Sequence, residues 1–171
     1  MSEDIKVRIA TPADIHQVME LGIAANEEIG VAKANPAKLL EDVWPALHRD
    51  GGIVGVIGKP GQVIEGGVLL RISNLWYSDE LFLEERVVYV RPEFRKTTSH
   101  KGGRGRILCE FSKSVADSMG IPLVIGIATA LGLKGKTRSY ERVFGPPAGA
   151  FFLYGRNHFS DGFNPSGIAA E

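Results

Sequence analysis

One passage in the middle of the chain limits what it can fold into more than any other: an apolar strand that passes through a glycine-rich, basic turn into a strong helix. Val87-Val88-Tyr89-Val90 has the β-branched and aromatic residues of a strand, and Pro92 stops it, because proline brings no N–H to a ladder. Further on, Ile107, Leu108, Phe111, Val115 and Met119 share one face of a helix predicted over Arg106 to Met119, which Gly120 and Pro122 end. Between the two stand Arg95, Lys101 and the run Gly102-Gly103-Arg104-Gly105-Arg106. The first turn of a helix carries unpaired N–H groups and a partial positive charge, so it receives phosphate oxygens. Glycine lets the backbone approach such a ligand. Arg95, Lys101, Arg104 and Arg106 add charge where a pyrophosphate would lie. The passage reads as an anion cradle. Glycines before a helix are also used simply to turn the chain; Pro92, Arg95 and the helix that follows weigh for the cradle.

The flanking segments predict the rest of the architecture. Ile5-Lys6-Val7-Arg8-Ile9 alternates apolar and charged residues, the pattern of a half-buried strand. Thr11-Pro12-Ala13-Asp14 opens a helix, with Thr11 as cap, Pro12 at the first position and Asp14 near the positive end of the dipole. Ile15, Val18, Met19 and Ile23 carry its stripe to about Glu27. Asn35-Pro36 repeats the start signal for a second helix along Leu39, Leu40, Val43 and Leu47, which Pro45 should bend or shorten. Strands are predicted over 52–57 and 63–72, joined by Lys59-Pro60-Gly61-Gln62 as a type II turn, and a third runs from Leu81 to Arg91. Leu123-Val124-Ile125-Gly126-Ile127 is wholly apolar, as in the buried middle of a sheet. A short helix from Ser139 to Phe144, a strand from Ala150 to Tyr154 and a loop-like tail over 155–171 complete the order. With neither internal repeat nor linker, residues 1–171 read as one mixed α/β domain.

Composition removes several classes of function. Twenty basic and twenty acidic residues cancel, so the chain is a poor coat for nucleic acid or an anionic membrane, and neither is expected as a partner. The lone Cys109 allows no intramolecular disulfide and no thiolate zinc cluster, and its place between Leu108 and Phe111 reads as packing. His16, His48 and His158 lack partners at ligand spacing, so no metal is expected. Met1-Ser2-Glu3-Asp4 lacks the basic start of a signal peptide, and no stretch reaches the roughly 20 apolar residues of a membrane helix. A cytoplasmic protein is expected. Phe151, Phe152 and Tyr154 read as strand core; Asn74-Leu75-Trp76-Tyr77 stays open between pocket lining and loop packing.

The cradle lacks the Gly-x-x-x-x-Gly-Lys-Ser/Thr of a P-loop, and it follows several strands rather than the first, unlike a dinucleotide fold. Its position and spacing resemble the GNAT superfamily of N-acetyltransferases. That family carries a strand ending Val-x-Pro-x-x-Arg, then Arg/Gln-x-x-Gly-x-Gly/Ala at the head of a long helix. Val90-Arg91-Pro92-Glu93-Phe94-Arg95 matches the first part and Gly103-Arg104-Gly105 the glycines of the second. Two departures stand out: Lys96 to His100 lengthens the loop and puts histidine where the family has arginine or glutamine, and the stretch after the apolar strand, Ala128 to Leu133, holds no asparagine where the family often has one. The resemblance implies an α+β domain with a central mixed, mostly antiparallel sheet, two splayed parallel central strands and helices on both faces.

It also implies roles. Acetyl-CoA would be the cosubstrate, its pantetheine arm pairing with Val88, Tyr89 and Val90, its pyrophosphate on Arg95, Lys101, Gly102, Gly103, Arg104, Gly105 and Arg106. Leu123 to Ile127 would be the splayed partner strand. A backbone N–H near Val90 would polarise the thioester carbonyl. The base would be a carboxylate on the strand: Glu85 rather than Glu84, because Val87 and Tyr89 share its face by alternation. Either glutamate reads equally as a solvated edge residue. Tyr140, ahead of Phe144-Gly145 where the family has Tyr-x-x-x-Gly-Phe, would be the acid, or else a half-buried core tyrosine. The implied activity is acetyl transfer to a primary amine of a small molecule or protein, with a homodimer left open. Its rival is a non-catalytic acyl-CoA-binding or regulatory protein. An RGG-like RNA contact over His100 to Arg106 fits neither the zero charge nor the single copy of the run.

Overall fold

Gly52–Ile57 is apolar at every position because both faces of its strand are covered. Val54 and Val56 point to one side, among Val18, Leu21, Val43 and Leu47; Ile57 points to the other, with Val68, Leu70, Leu83 and Leu108. The protein was analysed as a computed structural model that describes residues 5–95, 103–127 and 133–149. Five strands stand side by side in chain order: β1 (Val7–Ile9), β2 (Gly52–Ile57), β3 (Gly66–Asn74), β4 (Leu81–Val90) and β5 (Leu123–Ile125). The first four are mutually antiparallel, and β5 runs parallel to β4. Helices α1 (Ile15–Ile29) and α2 (Pro36–Leu47) cover one face; α4 (Gly103–Met119) covers the other and carries α5 (Leu133–Phe144) against it. One turn of helix, α3 (Pro92–Arg95), follows β4.

Local chemistry sets the ends of these elements. Pro12–Asp14 forms a 3₁₀ turn ahead of α1, where the Asp14 carboxylate accepts the Thr11 N–H at 2.9 Å and a two-pronged pair of bonds from Arg8 at 2.7 and 2.9 Å. The Asn35 side chain caps α2 by accepting from the N–H groups of Ala37 and Lys38. Pro45 falls in the last turn of α2, which ends two residues later. In the predicted turn, Gly61 has φ of +74° and Gln62 N–H donates to Lys59 O at 3.0 Å, the bond expected of type II.

Several boundaries differ from the expected ones. β3 begins at Gly66, not Val63, because Ile64 N–H is taken by the Gln17 side chain at 2.8 Å rather than by a strand. The central helix begins at Gly103, three residues early, so the glycines form its first turn. α5 runs over twelve residues, twice the expected span. β5 ends at Ile125 rather than Ile127, and it stands at the edge of the described sheet, where Val124 is 45% exposed. The strand expected from Ala150 to Tyr154 and the tail lie outside the described residues. No helix among the described residues is long and apolar enough to cross a membrane.

One irregularity in β4 shapes everything that follows. Val87 opposes Leu69 and Glu85 opposes Leu70, so Arg86 is the extra residue of a β-bulge. A bulge bends its strand and increases its twist. Pairing of β4 with β5 ends at the same point, Glu85 against Ile125. Beyond it, residues 86–90 have no strand partner on that side among the described residues.

Candidate active site

The parting of β4 from β5 opens a groove of about 430 Å³, within the usual range for small-molecule sites. Its walls are the uncovered edge of β4 through Val88, Tyr89 and Val90, the first turn of α4 with Gly103, Arg104, Gly105 and Arg106, and the face of α5 bearing Lys136, Ser139 and Tyr140. A strand edge offers backbone donors and acceptors at regular intervals, and here one faces a cavity.

The first turn of α4 is built for close approach. Gly103 has φ of +68°, a conformation that side chains disfavour, and no described atom lies within 4 Å of where a Cβ would stand at Gly103 or Gly105. The turn therefore presents bare backbone to the groove.

The arginines are placed differently from the simple cradle. Arg95 donates to the Val90 carbonyl at 2.8 Å, lies over the Tyr89 ring and pairs with Glu28 at 2.6 Å, fastening the end of β4 to α1. Arg104 pairs with Glu65, donates to the Phe94 carbonyl at 3.0 Å and covers the Phe94 ring. Arg106 pairs with Glu110 one turn on, at 2.7 Å. All three line the groove, but each has a carboxylate beside it. Sequence reading missed two cations of α5. Lys136 and Arg142 line the same groove, and neither has an ion-pair partner among the described residues. Their spacing with Ser139 and Tyr140 is that of one helix face, a signal hidden while the helix was expected to begin at Ser139. Among the described residues six basic side chains line the groove, against Glu28 and Glu85. Lys101 and Gly102 lie outside the described residues.

Glu85 and Glu84 separate cleanly. Glu84 is partly exposed and pairs with Arg86 at 3.0 Å. Glu85 is 6% exposed at the floor of the groove. It accepts hydrogen bonds from Tyr140 Oη at 2.5 Å and from Ser112 Oγ at 3.0 Å. Burial pushes its carboxyl above the ordinary carboxylate range, against the opposing pull of these two bonds. Burial, with the nearby Glu85 charge, also pushes the Tyr140 phenol up, so it holds its proton throughout the neutral range. The same causes raise Cys109 to about 12, which keeps it a thiol and leaves it a packing residue. The structure thus brings Glu85 and Tyr140 into contact, 55 residues apart in the chain.

The other candidates stand away from this site. His16 and His48 are exposed, His48 against the Trp44 ring. Among the described residues no group of His, Cys, Asp and Glu could hold a metal. Trp76 is 93% exposed beside Tyr77 and neither lines the groove.

No protein-family model matches the sequence, and no curated protein does. Solved structures do match, over nearly the whole chain. A protein described as a possible acetyltransferase from Clostridium difficile 630 aligns with a TM-score of 0.67 at 17% identity, covering 91% of this chain and 100% of that one. AAC(6')-Iy in complex with the bisubstrate analogue CoA-S-monomethyl-acetylneamine aligns at 0.64 and 13% identity, covering 91% and 99%. The ribosomal-protein-alanine N-acetyltransferase of Brucella melitensis biovar Abortus 2308 aligns at 0.60 and 15%, covering 90% and 98%.

Proposed function

Taking as premise that the chain has the GNAT acetyltransferase fold, we propose that it is an N-acetyltransferase that moves an acetyl group from acetyl-CoA to a primary amine, by direct attack with both substrates bound. The observation that carries this reading is the edge of β4 that no described strand covers, which opens onto a groove floored by the hydrogen-bonded Glu85 and Tyr140. Those residues fit the cosubstrate. Val88 to Val90 offer backbone partners to an amide-bearing arm. The bare first turn of α4 offers N–H groups to a pyrophosphate, and Lys136 and Arg142 offer charge that no carboxylate among the described residues takes up.

The chain's own groups then divide the work. Glu85 takes the proton that the amine sheds as its nitrogen bonds to the acetyl carbon. Burial raises its affinity for protons above that of an ordinary carboxylate. Tyr140, protonated and donating, gives a proton to the sulfur as the carbon–sulfur bond breaks. A backbone N–H near Val90 stabilises the charge that builds on the carbonyl oxygen. Glu85 then yields the proton it took and Tyr140 regains one, so the pair ends as it began.

The test is thiol release from acetyl-CoA with a panel of amines that includes neamine-like compounds and peptides beginning with alanine. Amine-dependent release with a matching N-acetylated product is expected. Tight coenzyme binding with no release for any amine would overturn catalysis and favour the acyl-CoA-binding alternative.

A further inference from the structure

The floor of the groove contains a buried hydroxyl that the proposed reaction leaves unused. Ser112, on α4, is 0% exposed. Its Oγ lies 3.0 Å from Glu85 Oε2 and 3.2 Å from the carbonyl oxygen of Leu108, one turn back on the same helix. A hydroxyl has a single hydrogen, so it donates to one of these acceptors at a time, while its oxygen can accept. A charged Glu85 accepts only: Oε1 from Tyr140 and Oε2 from Ser112. A proton on Oε2 needs an acceptor, and Ser112 Oγ is in reach once its own hydrogen turns to Leu108. Every group keeps a partner in both states. The other hydroxyl on the carboxyl, Tyr140 Oη, sits on Oε1 and not on Oε2. Among the described residues the titratable groups facing the carboxyl are Cys109 from α4 and Tyr140 from α5, both neutral. Its sheet partners, Leu70 on β3 and Ile125 on β5, carry no charge, and its chain neighbours Glu84 and Arg86 pair with each other.

We propose that Ser112 is a positioning residue for Glu85: its hydroxyl reverses direction, donating to Glu85 while the carboxylate is charged and to the Leu108 carbonyl once it is protonated, so the buried acid takes up and yields a proton without losing a partner. This rests on the reading of Glu85 as the base. A hydrogen bond to a charged group is stronger than one to a neutral group, so losing the hydroxyl disfavours the carboxylate more than the acid.

The experiment follows the Glu85 side-chain carboxyl by carbon-13 NMR across pH, its signal assigned with Glu85→Gln, in wild type, Ser112→Ala and Ser112→Cys. Cysteine nearly matches serine in size but is a weak donor. In both variants the midpoint should move to higher pH, by about a tenfold change in proton concentration, and the acid limb of kcat/KM should move with it. A midpoint that stays put in both, or a Ser112→Cys protein that titrates like wild type while Ser112→Ala does not, overturns the proposal in favour of mere packing. A midpoint that moves while the acid limb stays supports the hydroxyl's hold on Glu85 and removes Glu85 from the reaction as its base.

Discussion

Glu85 and Asp14 are both buried carboxyls, and the structure treats them oppositely. Asp14 is held by the Arg8 guanidinium and the Thr11 N–H, which pull it down to about 2. Its contribution to stability is present above the unfolded value of about 3.9 and is lost as pH falls through the folded one. Asp14→Asn should therefore cost on the order of 2 kcal/mol at neutral pH and almost nothing near the folded value, which thermal melts at the two pH values would show. Glu85 has no cation beside it among the described residues and is pushed up by burial. Relative to its charged state, it contributes stability that is present below about pH 4.3 and is lost as pH rises through the raised folded value. Urea melts of Glu85→Gln should accordingly fall less steeply than those of wild type as pH rises above about 4.3. Tyr140→Phe removes both the proposed acid and a donor to Glu85. Turnover should drop about a hundredfold, the low end for general acid catalysis because thiolate leaves fairly well, and the acid limb should move to higher pH. Turnover at wild-type level with chemistry limiting would leave Tyr140 as packing.

At the scale of elements, the bare first turn of α4 separates folding from binding. A Cβ at residue 105 meets no described atom outside its own turn, and Gly105→Leu replaces glycine in a helix, so melting should hold or rise slightly. Coenzyme affinity by calorimetry should fall at least about tenfold, since the new side chain fills the approach to the backbone N–H groups. Unchanged affinity would place the phosphates elsewhere. The strand, turn and helix that make this feature were legible because each rests on nearby residues: Pro92 as stop, the glycines as bend, Ile107 to Met119 as stripe. The fate of the arginines was not. Arg95 meets Glu28 across 67 positions and Arg104 meets Glu65 across 39, and no local pattern encodes such pairs. The bulge at Arg86 was equally hidden, because the alternation around it reads as an ordinary strand. Glu85 was preferred to Glu84 for sharing a face with Val87 and Tyr89, but the bulge at Arg86 breaks that alternation: Val87 and Tyr89 pack toward α1 and α2, while Glu85 meets Ser112 on α4.

For the whole molecule, acetyl-CoA should raise the melting temperature. At a hundred times its dissociation constant, mass action is worth about 2.7 kcal/mol, or roughly 5–10 °C for a chain of this size. NAD and ATP should give less, lacking the pantetheine arm; equal shifts would indicate a generic nucleotide site. The overall order of elements was readable because strands and helices here announce themselves separately, and because each strand in the sheet neighbours the next in the chain. That sequential order has a consequence for the nascent chain. Synthesis delivers the N-terminus first, so β1 to β4 and both helices of one face can be laid down as they emerge. Glu85 is then already in line, but its side of the sheet is still wet. Only when α4 and α5 arrive do Ser112 and Tyr140 meet the carboxyl and water leave it. The half-made protein has a sheet and no chemistry; drying one carboxyl is the step that turns a scaffold into a site.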